Sequence, residues 1–313
     1  MSFPQEKIPS PAQLAAAADP LATSGLVVVD KPQGMTSHDV VGRLRRIFGT
    51  RKVGHAGTLD PMATGVLVVG IERGTKFLAH LVADTKTYDA TIRLGAATTT
   101  DDAEGDILTQ HDASAISDEQ IHDSIAQLRG EIMQRPSSVS AIKINGRRAH
   151  ELVREGIEVE IPERSVTIYS FVVHSIARHD SWVDIRCSVH CSSGTYIRSL
   201  ARDLGAGLGV GGHLTALRRS TVGPFTLDHA RTLEELEDTP ELSLSLDQAM
   251  AVSFPPLPLS AAEARDVSMG KWLSPRGLKG VHAALAPDGR AIALLKEKGS
   301  RLSTVFVARP STL

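Results

Sequence analysis

Gly54-His55-Ala56-Gly57-Thr58-Leu59-Asp60-Pro61-Met62-Ala63-Thr64-Gly65 gathers three glycines, a proline and small side chains around a single carboxylate, Asp60. Glycine lets a backbone turn through conformations closed to other residues and approach a neighbour closely, and Asp-Pro favours the start of a turn. The stretch reads as a tight loop, either a plain turn between elements or a platform that carries Asp60 to a ligand. No Gly-Lys-Ser/Thr follows it, which speaks against phosphate cradling. Gly207-Leu208-Gly209-Val210-Gly211-Gly212 is also glycine-rich but follows a helical pattern, so it is not a dinucleotide fingerprint.

Outward from this loop, strand and helix patterns alternate irregularly. Gly25 to Lys31 is an apolar run closed by Pro32 and predicts a buried strand. Thr36 with Asp39 predicts a capped helix carrying Val40, Leu44, Ile47 and Phe48 on one stripe, with Arg43, Arg45 and Arg46 turned away. Val66 to Ile71 predicts a strand, Thr75 to Val82 a helix, and Tyr88, Ala90, Ile92 and Leu94 a strand exposed on one face. Ser117 with Gln120 opens a helix that Gly130 ends, and Val166 to Ile176 with Trp182 to His190 predicts an antiparallel pair. A helix from about Thr195 to Leu208 and a strand near Leu214 to Val222 complete the set. Without regular βαβ alternation, the fold class expected is α+β, a mixed, largely antiparallel sheet flanked by helices.

Residues 1–23 are expected to be a flexible leader and 24–252 the main domain. Phe254-Pro255-Pro256-Leu257-Pro258 is stiff and Pro-rich and reads as a linker to a small β-rich domain over 253–313.

Of the 313 residues, 42% are hydrophobic and 22% charged, which excludes wholesale disorder. No run approaches the ~20 apolar residues that span a bilayer, and Met1 to Ser10 lacks the pattern of a secretory signal, so the expected location is the cytoplasm. Cys187 and Cys191 are too few for a disulfide framework, and with His190 they lack a second ligand pair for zinc. They read as buried small side chains, and no metal site is expected.

A net charge of −2 and 4% aromatics look unlike a nucleic-acid binder. The sum, however, hides opposed blocks. Residues 31–80 carry 8 Lys/Arg against 3 Asp/Glu, 135–154 carry 5 against 1, 186–219 carry 5 against 1, and the chain after 253 carries 9 against 4. Residues 84–123 carry 2 against 10 and 228–247 carry 1 against 7. The basic blocks are either ordinary solvated faces or one polyanion-binding surface with the acidic segments behind it. Around Asn145-Gly146, a turn signal flanked by Lys143, Arg147 and Arg148 and followed by a short helix to about Glu155 reads as a basic finger or an ordinary hairpin.

Several ordered motifs carry a resemblance. They are Leu26-Val27-Val28-Val29-Asp30-Lys31-Pro32-Gln33-Gly34-Met35-Thr36-Ser37, Gly54 to Pro61, Lys86-Thr87-Tyr88, Arg93-Leu94-Gly95, Ser193-Gly194-Thr195-Tyr196-Ile197-Arg198 and Leu217-Arg218-Arg219. Over about residues 25–225 the chain resembles the bacterial tRNA pseudouridine synthase B family. The resemblance implies a pseudouridine synthase catalytic domain and a PUA-like C-terminal RNA-binding domain. It further implies isomerisation of uridine 55 in the T loop of tRNA, with no metal or redox cofactor, no membrane and no obligate protein partner, as a monomer.

It makes Asp60 the catalytic carboxylate, with Arg198 as its ion-pair partner and Tyr88 stacking on the uracil and serving removal of the C5 proton. His55 would fill the gap left by the extruded base, Tyr196 and Leu217 would flank the uracil, and Lys31, Pro32 and Lys76 would support the loop or the RNA. Arg43, Arg45, Arg46, Lys143, Arg147, Arg148 and Arg154 would grip the RNA backbone, the last four on a finger spanning about 138–160. Thr99 stands where many relatives carry Asp, so the acid behind the site is either moved to Asp101 or Asp102 or missing. The competing reading is a non-catalytic tRNA-binding chaperone of the same fold.

Overall fold

The computed structural model describes residues 19–81, 85–137, 143–144, 147–148 and 161–312. The chain begins with β1 (Gly25–Lys31), α1 (Ser37–Ile47), β2 (Val53–Ala56), β3 (Thr64–Ile71) and the short α2 (Gly74–Phe77). Next come β4 (Lys86–Leu94), β5 (Ala96–Thr98), β6 (Ile107–Gln110), α3 (Asp118–Gln127) and β7 (Gly130–Gln134). The two-residue strands β8 (Lys143–Ile144) and β9 (Arg147–Arg148) precede β10 (Arg164–Arg178) and β11 (Val183–Cys191). Then α4 (Ile197–Gly207), β12 (Gly212–Val222), β13 (Phe225–Thr226), α5 (Leu233–Asp238), β14 (Leu244–Ser245) and α6 (Leu246–Ser253) finish the main domain. The C-terminal part holds β15 (Pro256–Pro258), α7 (Ala261–Ser268), β16 (Val281–Leu285), β17 (Ala291–Lys298) and β18 (Arg301–Val307).

The local signals act as expected. Thr36 Oγ1 accepts from the Asp39 amide at 3.1 Å while Asp39 accepts from the Thr36 amide at 2.9 Å, and Ser117 with Gln120 repeats the arrangement at α3. Both satisfy amides that a helix start leaves unpaired. The alternation of β4 buries Tyr88, Ala90, Ile92 and Leu94 and turns Asp89 to solvent.

The large sheet runs β14-β1-β3-β12-β4-β11-β10-β7, with β2 on β3 and β13 on β12. One pairing positions the site. β12 is antiparallel to β4 but parallel to β3, setting Arg219 beside Gly65 on one side and opposite Tyr88 on the other. A Cβ on Gly65 would lie 2.2 Å from the Arg219 carbonyl, and its φ is +98°, so glycine is required here. The last strands of the Asp60 loop and the Leu217-Arg218-Arg219 motif are thereby locked together.

Two apolar cores serve this sheet. One joins β4, β10 and β11 to α1, α3 and α4 through residues such as Leu44, Ile92, Ile125, Phe171 and Leu200. The other packs Leu26, Val28, Val66 and Val68 through Phe77 and Met250 onto Ala283, Leu294 and Phe306 of the C-terminal sheet. A smaller cluster under α7 belongs to the C-terminal part alone.

Three expectations are corrected. Pro256–Pro258 is not a linker but a strand, parallel to β16 with Leu257 and Leu259 buried. Proline is tolerated there because β15 is an edge strand. Residues 19–23 are not loose: Leu21 is buried in the second core and Asp19 pairs with Arg309 at 2.7 Å. The helix expected over 75–82 closes after Phe77 and continues as a tight turn through His80. In the finger, β8 pairs Lys143 with Arg148 and Ile144 with Arg147. The helix expected to follow, with Arg154, lies outside the described residues.

Candidate active site

The loop after β2 is held by neighbours that arrive with β1 and α1. Ser37 Oγ donates to the Leu59 carbonyl at 3.1 Å and accepts from the Leu59 amide at 2.9 Å, and the Gly34 amide donates to the Pro61 carbonyl at 2.8 Å. Lys31, fully buried, donates through Nζ to the carbonyls of Pro32 at 2.9 Å, Met35 at 2.6 Å and Pro61 at 3.3 Å. Burial pulls its ammonium down to about 8, with the Asp60 charge acting the other way. Of these three carbonyls only that of Pro61 belongs to the Asp60 loop, and there Lys31 braces it.

From the far side, Arg219 clamps the same loop. It is 1% exposed and donates from Nε to the Val66 carbonyl at 2.8 Å, from Nη2 to the Gly57 carbonyl at 2.9 Å and from Nη1 to the Thr58 carbonyl at 3.4 Å.

Between these braces Asp60 faces Arg198, which follows the first residue of α4. Arg198 Nε lies 2.9 Å from Asp60 Oδ2, and the arginine side chain is 4% exposed. Its Nη1 donates to the Thr100 carbonyl at 2.9 Å and lies 3.6 Å from Oδ2 of Asp102, itself 3% exposed. Arg198 is thus shared between an acid at the cavity wall and an acid behind it. The Asp60 side chain keeps 36% exposure, yet protein surrounds its carboxylate on most sides. That desolvation, ahead of the opposing pull of Arg198, holds the acid above its usual range.

Asp60, Tyr88, Tyr196, Arg198, Leu217 and Arg219 line one cavity of about 250 Å³. The Tyr88 phenol is pushed up by burial and pulled back by Arg219. Tyr196 caps the start of α4. Its amide and carbonyl are both held by the side chain of buried Gln134, at 2.8 and 3.1 Å, and Arg164 lies 5.1 Å over its ring. Five of the residues expected at a site thus converge: Asp60, Tyr88, Tyr196, Arg198 and Leu217.

Others sit elsewhere. His55 is on strand β2 opposite Val69, not on the loop, and is absent from the cavity wall. Among the described residues its Nδ1 is buried without a hydrogen-bond partner, and burial, then Arg219, depresses its basicity. Lys76 is exposed on α2. Arg45 and Arg46 are exposed on α1, but Arg43 is engaged by Glu237 at 2.7 and 2.8 Å and by Glu234 at 3.1 Å.

Each acidic segment also reaches a basic one: the later segment engages Arg43 through Glu234 and Glu237, and the earlier one supplies Asp102 to Arg198. Asp102, three residues after Thr99, stands behind Arg198, 3.6 Å from its Nη1. Asp102 can reach it because Asp101 turns the chain in the left-handed region, with φ of 61°, and its carbonyl accepts from Leu214 of β12 at 3.0 Å. Arg219, Ser37 and Gln134 were not singled out from sequence. For Arg219 and Ser37 the available signal was their place inside the quoted motifs.

Among the described residues no group of His, Cys, Asp or Glu could hold a metal ion. The Cys187 and Cys191 thiols are buried, pushed up to about 12 and about 11, and donate weakly to the Ala90 and Lys86 carbonyls. No helix among the described residues is long and apolar enough to cross a membrane.

Comparison with known proteins places this fold in a class. Residues 45–197 match the TruB family pseudouridylate synthase N-terminal domain, and 198–250 match the tRNA pseudouridylate synthase B C-terminal domain. Residues 254–309 match the tRNA pseudouridine synthase II C-terminal model. The solved Cbf5-Nop10-Gar1 complex contains a chain similar over 100% of this one and 92% of its own length, at 25% identity and a TM-score of 0.72. A similar chain in an H/ACA RNP bound to a substrate RNA containing 2'-deoxyuridine gives 25% and 0.69, over 93% and 86%. The class is that of the pseudouridine synthases.

The tRNA pseudouridine synthase B of Corynebacterium efficiens is 69% identical over 295 residues, covering 94% of this chain and 99% of the relative. That of Rhodococcus jostii is 58% identical, covering 94% and 96%. The chain belongs to the tRNA pseudouridine synthase B family.

Proposed function

We propose that this chain converts uridine 55 in the T loop of tRNAs to pseudouridine, with Asp60 as the catalytic carboxylate. The observation that carries the reading is the 2.9 Å contact between Asp60 and buried Arg198 at the wall of a base-sized cavity. The N1–C1′ bond breaks, the uracil turns, C5 bonds to C1′, the C5 proton leaves and the freed N1 takes up a proton, so substrate and product are isomers. Asp60 acts in its ionised form, as nucleophile or as base at C2′, and Arg198 holds it charged and oriented. Tyr88 stacks on the base and serves removal of the C5 proton, and Leu217 and Tyr196 flank the ring.

Extrusion of the base costs a few kcal/mol, and the same reading has His55 compensate the opened stack of the RNA. Arg45, Arg46, Lys76 and the finger residues Lys143, Arg147, Arg148 and Arg154 grip phosphates, and the C-terminal part acts as a PUA-like RNA-binding module. Arg43 contributes less, because Glu234 and Glu237 already offset it. The chain acts without a protein partner.

The test maps pseudouridine chemically in tRNA and in a T-arm stem-loop treated with purified protein. Wild type is expected to modify position 55, and Asp60→Ala to lose turnover while keeping RNA affinity. Undiminished pseudouridine formation by Asp60→Ala overturns the catalytic assignment. An inactive wild type that binds tRNA favours the chaperone reading.

A further inference from the structure

Among the described residues Arg219 is the largest fully buried side chain, and loop support alone does not use all of it. A guanidinium has five N–H donors and no acceptor. Three are taken by the carbonyls of Val66, Gly57 and Thr58. The Gly57 carbonyl is turned to meet it by a backbone φ of +75°, a conformation that other residues adopt with strain. Tyr88 is the direct antiparallel partner of Arg219, so the two side chains leave the same face of the sheet about 5 Å apart at their roots. Both line the cavity. With the two residues paired across the strands and on one cavity wall, the positive charge of Arg219 pulls the phenol against the effect of burial.

We propose that Arg219 is a positioning residue for pseudouridine formation, coupling the Asp60 loop to the Tyr88 hydroxyl. Because arginine can only donate, the Tyr88 oxygen beside it must accept. Its own proton is then directed away from Arg219 and into the cavity, where the base would lie. One rigid cation thereby sets the orientation of the phenol and, through the Gly57 and Thr58 carbonyls, the height of the carboxylate three to two residues later. A displacement of about 1 Å in such a constellation lowers a rate by roughly 10²-fold. The assignment rests on the proposed reaction for its kinetic consequence but not for the contact itself.

The test uses Arg219→Gln and the conservative Arg219→Lys in the full-length protein. With three tyrosines in the chain, phenol titration by ultraviolet difference absorbance is resolvable, and Tyr88→Phe assigns the Tyr88 transition. In Arg219→Gln the Tyr88 transition is expected to move to higher pH, because a neutral amide no longer favours the phenolate. Its single-turnover rate on T-arm RNA should fall by roughly 10²-fold at unchanged RNA affinity. Arg219→Lys should restore part of both. If Arg219→Gln fails to fold, Arg219→Lys alone is expected to show a smaller rate loss and an altered Tyr88 transition. An unmoved Tyr88 transition in a folded variant overturns the coupling. So does a rate loss matched by an equal loss of RNA affinity, which marks an RNA contact instead. Should wild type form no pseudouridine, the reaction assignment fails, while the titration still decides the Arg219–Tyr88 contact.

Discussion

Around the cavity Lys31, Asp102, Arg198 and Arg219 are buried with their charges, whereas the C-terminal sheet buries Leu257, Val267, Ile292 and Leu295 and keeps most of its ions toward solvent, Arg309 being half-buried against Asp19 and Asp247. Its pairs, Arg276–Glu263, Lys271–Asp266 and Arg290–Asp288, are partly or largely exposed. Among the described residues after Arg219 no charged side chain is buried. Burying an ion costs several kcal/mol before its partners repay it, and apolar residues in the same space often serve stability as well or better. The cavity region therefore keeps a costly arrangement that stability does not require. In the proposed reaction its value is orientation: an acid fixed against a buried cation needs little rearrangement when charge develops nearby. The C-terminal sheet has no such task in its interior and is packed as an ordinary core.

The contrast predicts a ladder of effects. Arg198→Ala stands at the top. It leaves Asp102 buried without its cation, so stability should fall by about 3–5 kcal/mol in urea unfolding. In the fraction that remains folded, turnover should fall by at least roughly 10²-fold with RNA binding retained. Loss of binding with a normal single-turnover rate would remove Arg198 from the chemistry.

Leu294→Ala, in the core shared by the two sheets, should cost about 2–5 kcal/mol and leave the single-turnover rate of folded protein unchanged. A large drop in that rate would show that the C-terminal packing shapes the cavity.

The acid limb of the pH profile is a smaller effect. The Asp60 acid is held above 3.8, and the proposed reaction uses its ionised form, so the single-turnover rate should be lost as pH falls through an apparent value above 3.8. Activity persisting to below that value would contradict the desolvation of Asp60. At the bottom, Arg276→Ala removes an outer ion pair and should shift stability by no more than about 1 kcal/mol, because solvent screens it. A shift comparable with that of Leu294→Ala would mean that the two regions manage charge alike.

Much of this was legible along the chain because its causes are local. The caps at Thr36 and Ser117 need only a partner three residues away, and the β4 pattern needs only alternation. The carboxylate loop was visible because glycine and proline act on their own backbone. What escaped depends on distant neighbours. Arg43 looks like any exposed helix arginine until α5 brings Glu234 and Glu237 to it. The proline run looks like a spacer until β16 offers it an edge. His55 was read as part of the loop because the apolar run that pairs with it, β3, lies beyond the loop. Asp102 is one acid among ten in its window until a left-handed turn at Asp101 sends it behind Arg198.

Local patterns along the chain set most of the elements, the loop around Asp60 and, through motif resemblance, the family. Only the tertiary structure decided which charges are buried and against what. Composition fixes how many ions a chain has, but their energies depend on separation and on exclusion of water, and both are set by strand order. Placing β12 between β3 and β4 brings Arg219 to the Asp60 loop and Tyr88 together, and no local pattern in the chain encodes that meeting.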